Sequence, residues 1–149
     1  MGGMTPDDVY ALQGATDPRL APDGNLVAYV VTRTDRKAND YAGAIWLATL
    51  DGSTEPWQLS SGAKYDAAPR WSPDGAWLAF TSNRDGETAQ LYVMPAFGGE
   101  PRRLTDLKED VAEAAWSPDG STIAFVSRVR DSAYDEEDGR RRRPRRFTR

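Results

Sequence analysis

Apolar residues in this chain come in short runs, each too brief for a helix and each opened by a polar turn. Leu26-Val27-Ala28-Tyr29-Val30-Val31, Trp77-Leu78-Ala79-Phe80-Thr81 and Thr122-Ile123-Ala124-Phe125-Val126 align on one another. All three are rich in β-branched and aromatic residues, which suit a pleated, half-buried surface, so each predicts a strand. Just ahead of them stand "LAPDG", "WSPDG" and "WSPDG", at Pro22-Asp23-Gly24, Pro73-Asp74-Gly75 and Pro118-Asp119-Gly120. Proline presets the dihedral of the second turn position, aspartate bonds back to the local backbone, and glycine accepts a positive φ. The pattern predicts a hairpin made of a type I turn and a bulge.

Further short runs fill the intervals. Ala44-Ile45-Trp46-Leu47-Ala48 and Gln90-Leu91-Tyr92-Val93-Met94 read as third strands, closed by Asp51-Gly52 and Gly98-Gly99 turns. Pro56-Trp57-Gln58-Leu59 and Pro101-Arg102-Arg103-Leu104-Thr105 read as fourth strands. Ala68-Pro69-Arg70-Trp71 and Ala114-Ala115-Trp116 then open the next units. The three turn prolines lie 51 and 45 residues apart, and self-similarity at about 40 to 50 residues is the mark of propeller blades. Four short antiparallel strands per repeat make one blade.

The fold class expected is therefore all-β: a partial β-propeller of about two and a half four-stranded blades, preceded by a short helix. Residues 1–15 form the lead-in, 16–130 the incomplete propeller and 131–149 a charged loop or tail. Within the propeller, blade 1 covers about 16–63, blade 2 about 64–110 and partial blade 3 about 111–130. A closed propeller has about 4 to 8 blades, so a natural ring is expected to continue past Arg149. An open arc leaves strand edges unpaired and prone to association. In the lead-in, Thr5-Pro6-Asp7-Asp8 combines a cap, a first-turn proline and acids at the positive end of a helix dipole. Val9, Tyr10, Ala11 and Leu12 would give that helix an apolar face to pack on the propeller.

Composition narrows the function classes. The chain has 149 residues, 39% hydrophobic, with a formal net charge of -4, no histidine and no cysteine. That balance does not point to nucleic acid or to an anionic membrane surface. No signal peptide and no membrane-length apolar run are visible, and cysteine is absent, so a cytoplasmic protein is expected.

At this point the residues resemble a family. The runs "MTPDDVYALQGATDPRLAPDGNLVAYVVTRTDRKANDYAGAIWLATLDG", "PRWSPDGAWLAFTSNRDGETAQLYVMPAFGGEPRRLT" and "AWSPDGSTIAFVSR" look like the amino-terminal propeller of the prolyl oligopeptidase family of serine peptidases, in particular its acylaminoacyl-peptidase and dipeptidyl-aminopeptidase branch. The lead-in helix, "DPRLAPDG" and the long loop "TDRKANDYAGAIW" carry most of the likeness; the repeat unit alone also occurs in TolB-like propellers. The resemblance implies a non-catalytic propeller that gates and selects short peptides for an α/β-hydrolase domain of the same polypeptide. The alternative is a TolB-like scaffold that binds proteins without enzymatic activity.

The chemistry of the residues agrees with a non-catalytic part. A serine hydrolase needs a base for its nucleophile, normally an imidazole oriented by a carboxylate, and this chain has no histidine. No serine sits in a G-x-S-x-G elbow. Catalytic residues are therefore expected to be none, and the chain alone to be inactive, although the resemblance implies a peptidase as its parent. Without histidine or cysteine no metal site is expected, and Asp135-Glu136-Glu137-Asp138 lacks the spacing of a calcium loop. No cofactor is expected. Asp23, Asp74 and Asp119 are repeat punctuation rather than a carboxylate cluster. Trp71 and Trp116 hold equivalent places and are expected to pack between blades, while Trp77, opposite no aromatic at Thr122, is left to a surface or cavity role. The run Arg140-Arg141-Arg142-Arg143-Pro144-Arg145-Arg146 follows five acids, so its segment is only about +2 overall; it reads as a charged inter-strand loop rather than a nucleic-acid arm. Expected partners are the hydrolase domain and peptide substrates, with no nucleic acid and no membrane; which residues bind substrate is not legible.

Overall fold

A computed structural model describes residues 5–129. Ten strands form three antiparallel sheets. The first holds β1 (Gln13–Leu20), β2 (Leu26–Asp35), β3 (Asp40–Thr49) and β4 (Trp57–Gln58) in that order. The second repeats it with β5 (Asp66–Trp71), β6 (Trp77–Ser82), β7 (Gln90–Pro95) and β8 (Arg102–Arg103). The third consists of β9 (Val111–Trp116) paired with β10 (Ile123–Ser127). Two four-stranded blades and the first half of a third are thus present, as the repeat predicts. No helix among the described residues is long and apolar enough to cross a membrane.

Each of the three turns closes in the same way. Gly24, Gly75 and Gly120 adopt φ of 74°, 71° and 71°, a region open to residues without a Cβ. Their amides donate to the carbonyls of Ala21, Ser72 and Ser117, each at 2.9 Å. In the second turn Asp74 Oδ1 accepts from the Ser72 hydroxyl at 2.5 Å and from Ala76 N–H at 3.1 Å, while the Ser72 hydroxyl oxygen accepts from Trp77 N–H at 2.9 Å. The third turn copies this with Ser117, Asp119, Ser121 and Thr122. In the first, Ala21 cannot play the serine's part, and the Asn25 side chain donates to Asp23 at 3.0 Å instead.

The core lies between sheets rather than within one. Ala28, Ile45 and Leu47 of the first blade pack on Leu78, Phe80, Tyr92 and Met94 of the second, with Trp57, Leu59 and Trp71 at the margin. A second cluster joins Ala79 and Leu91 to Val111 and Ala114, edged by Trp116 and Ile123. The second blade also buries an ion pair, Arg84 Nη2 to Asp66 Oδ1 at 2.9 Å, with the aspartate side chain 1% exposed. The Arg84 guanidinium lies 5.2 and 5.1 Å from the ring centres of Phe80 and Tyr92. The Tyr92 hydroxyl donates to Asp85 at 2.5 Å; burial and then the neighbouring carboxylate push that phenol up to about 12.

Two local readings need correction. The lead-in is a 3-10 helix, Pro6–Ala11, and Val9, Tyr10 and Leu12 are exposed rather than packed. Its contact with the first blade is polar and cationic: Arg36 pairs with Asp7 at 3.2 Å and lies 4.9 Å from the Tyr10 ring centre. The segment "TDRKANDYAGAIW" is not a long loop, because β2 and β3 stay in register through Asp35 and Asp40 and only four residues turn between them. The first blade opens on "QGATDPRL", the strand β1, which carries no apolar run of its own.

Candidate functional site

The first strands of successive sheets, β1, β5 and β9, lie side by side. In a propeller these are the innermost strands, which wall the central channel. Each carries a bulge: the β1–β2 register slips between Thr16 and Arg19, the β5–β6 register between Ala67 and Arg70, and the β9–β10 register between Val111 and Ala114. Asp17 (φ 49°) and Ala68 (φ 53°), one full repeat apart, sit at the first two bulges in the left-handed region. Bulges bend the strand and re-aim the side chains that follow. At the first two, those side chains are Arg19 and Arg70.

Both guanidinium groups converge on one carboxylate. Arg19 Nη2 meets Asp17 Oδ1 at 2.6 Å, and Arg70 Nη1, from the next blade, meets Asp17 Oδ2 at 2.9 Å. Arg70 Nη1 also donates to the Pro69 carbonyl at 2.8 Å. Two cations on one anion leave the cluster with a local charge of about +1 on the channel wall.

Two indoles join the same strands. Trp71 Nε1 donates to the Arg19 carbonyl at 2.9 Å, and Trp116 Nε1 donates to the Arg70 carbonyl at 3.0 Å. Each tryptophan therefore bonds to the blade before it, at the residue equivalent to its own neighbour. This is the inter-blade packing expected of the pair. Beside them an open cleft of about 410 Å³ is lined by Arg19, Leu20, Arg70, Trp71, Ala115 and Trp116, among others.

Two other cavities frame the choice. One of about 470 Å³, along β10, is lined by Trp77, Leu91, Val93, Leu104, Ile123 and Phe125; Trp77 stands at its margin, half-exposed. Another of about 420 Å³ gathers Asp40, Tyr41, Tyr65, Asn83, Glu87 and Asp110 at the far ends of the sheets from the Pro-Asp-Gly turns. Two of the three acids there already accept backbone amides, Asp40 from Tyr41 at 2.7 Å and Asp110 from Ala89 at 2.7 Å, and Glu87 lies 4.0 Å from the Lys64 ammonium.

Of the turn residues singled out in the sequence, Pro22 and Pro73 line the 410 Å³ cleft and Gly120 the 470 Å³ one, where they supply ring and backbone surface; Asp23, Asp74 and Asp119 line neither. The turns stack one on another, Gly75 against the ring of Pro22 and Gly120 against Pro73. Among the described residues no group of three or more acidic side chains is placed to hold a metal ion. The acidic run Asp135 to Asp138 and the arginines from Arg140 lie outside the described residues. Sequence reasoning missed Asp17, Arg19 and Arg70. The signal available was the repeated Pro18-Arg19 and Pro69-Arg70, which sits at one position of two successive repeats.

Four-stranded antiparallel sheets, packed face to face with their first strands gathered on a common wall, define a β-propeller domain. More narrowly, residues 38–139 match the model of the tricorn protease N-terminal beta propeller domain, and the chain belongs to that family. The uncharacterized peptidase YuxL of Bacillus subtilis is 46% identical over 111 residues, which is 74% of this chain and 17% of that protein. The chain thus spans about a sixth of that relative's length. Among solved structures, the uncomplexed acylaminoacyl peptidase of Pyrococcus horikoshii matches with 28% identity and a TM-score of 0.64, covering 87% of this chain and 20% of that one. A putative TolB from Agrobacterium tumefaciens matches with 27% identity and a TM-score of 0.60, covering 73% of this chain and 36% of that one. The likeness to peptidase propellers read from the sequence holds.

Proposed function

We propose that this chain is the gating propeller of a serine peptidase, selecting short peptides for an α/β-hydrolase domain carried by the same polypeptide. The observation that carries the reading is the 46% identity to a peptidase of which the matched stretch is only 17%. Supporting it, the chain has neither a histidine nor a G-x-S-x-G elbow, so nucleophile and base belong to a partner domain. The propeller's contribution is then geometric. A channel walled by β1, β5, β9 and their counterparts admits an extended peptide and excludes a folded domain.

The test begins with the reading frame that contains Arg149. More Pro-Asp-Gly repeats and then G-x-S-x-G with later Asp and His are expected. The intact enzyme should then cleave short peptides and spare the same sequence within a folded protein. A frame without a hydrolase, or an enzyme indifferent to substrate size, overturns the reading. The likeness to TolB then favours a protein-binding scaffold.

A further inference from the structure

The two inter-blade junctions on the channel wall differ at two equivalent positions. At the first, Asp17 supplies a carboxylate to Arg19 of its own blade and to Arg70 of the next. At the second, Ala68 takes the place of Asp17 and Ala115 that of Arg70. Arg70 therefore holds the position of Arg19 in its own blade without the carboxylate that Arg19 has. Its Nη1 is engaged by Asp17 and the Pro69 carbonyl. Among the described residues, Nε and Nη2 of Arg70 have no hydrogen-bond acceptor. That edge of a guanidinium takes a carboxylate through two parallel hydrogen bonds.

The surroundings suit an organic anion. Arg70 and the half-exposed Arg19 line the same cleft of about 410 Å³, with Ala115 leaving room where a third arginine would stand. Leu20, Trp71 and Trp116 give it apolar walls. Both indole N–H groups are already bonded to backbone carbonyls, so they offer ring surface rather than donors.

We propose that this cleft binds the carboxylate of a short peptide, held by the Nε and Nη2 edge of Arg70 with Arg19 alongside, in the place of the carboxylate missing at Ala68. The site rests on the gating reading for the identity of its ligand and names the part of the peptide recognised. A carboxylate can come from the peptide's C-terminus or from an acidic side chain.

The experiment is a titration of the 149-residue chain with blocked tripeptides, followed through the indole N–H resonances of Trp71 and Trp116. The peptides are Ac-Ala-Ala-Leu as free acid, the same peptide as its amide, and Ac-Ala-Glu-Ala amide; inorganic phosphate is the fourth probe. Saturable shifts are expected with the free acid, with the glutamate peptide or with both, which names the carboxylate's source, and none with the leucine amide. Arg70→Lys, which keeps the charge and loses the fork, should weaken binding about tenfold. Ala68→Asp restores the repeat's own carboxylate in a left-handed conformation that aspartate already adopts at position 17, and should abolish binding in a folded chain. Equal binding of the leucine amide, displacement by phosphate as effective as by peptide, or undiminished binding to Ala68→Asp overturns the proposal. Binding is read without turnover, so the two ideas fail separately: peptide bound by a chain with no hydrolase partner sinks the gate alone, and a size-selective enzyme whose cleft ignores carboxylates sinks this site alone.

Discussion

Phe80 and Phe125 occupy the same place in successive repeats, five residues after the turn glycine, yet one is fully buried and the other is 42% exposed. The difference lies in the next strand. Phe80 in β6 has β5 on one side and β7 on the other, and stacks on Tyr92 of β7 with ring centres 5.8 Å apart. Phe125 in β10 has only β9 beside it among the described residues. A side chain's burial in this architecture is thus a property of the completed blade, and identical sequence units differ in energy according to their neighbours.

The widest gap should appear on removing the two rings. Phe80→Ala is expected to cost about 4 kcal/mol, through lost transfer energy and a cavity, and Phe125→Ala about 1 kcal/mol, in line with its partial burial. Urea unfolding followed by tryptophan fluorescence measures both. Equal losses would mean that the β10 side of the sheet is covered in solution.

The buried ion pair sharpens the contrast with the first blade. Asp66→Ala strands the Arg84 guanidinium in a nearly dry site and should cost about 3 kcal/mol. In the first blade Ala15 and Arg33 stand at those two positions, and Arg33 is exposed; Arg33→Ala should change stability by no more than about 0.5 kcal/mol. A comparable loss at Arg33 would show that it has a partner in solution.

A smaller effect is expected at the indole bonds between blades. Trp71→Phe retains a ring but leaves the Arg19 carbonyl without its donor, at a cost of about 1 kcal/mol by the same unfolding assay. No change would mean that water replaces the indole there.

The smallest difference separates the turns. Hydrogen bonds from the Ser117 hydroxyl, and then from Ser121, hold Asp119 down at about 2, against an ordinary 3.8. A carboxylate depressed in the folded state contributes stability above its unfolded value and loses it as the pH falls through the folded one. Acid titration should therefore show a gentle loss between about pH 4 and pH 2, of which Asp119→Asn removes one share. A flat wild-type profile would contradict the serine contacts. Asp74, lowered by Ser72 and then by the Ala76 amide, should behave alike.

What was legible in the sequence follows from where each strand sits. β6 and β7 are buried along most of their length, so the apolar run alone announces them. β1 is exposed at nearly every position and contains Gly14, Asp17 and Pro18. Its strand state comes from pairing with β2, which no local pattern reports. The outer ends of β2 and β3 are hidden for a related reason: Thr32 to Asp35 are polar residues on a ribbon that reaches past the core. The lead-in reversed the problem, because an apolar face was visible in Val9, Tyr10 and Leu12 and yet all three stay exposed. Of the channel wall, the paired Trp71 and Trp116 were readable from the repeat. The Asp17 cluster was not, since it depends on two bulges and on a contact between blades.

The bonds from Trp71 and Trp116 run in one direction. Each indole donor reaches a carbonyl made earlier in the chain, Arg19 for the first and Arg70 for the second. On a ribosome, where domains emerge and fold from the N-terminus, the acceptor is always waiting when the donor arrives. The wall can then grow blade by blade, each new unit finding its docking point already in place.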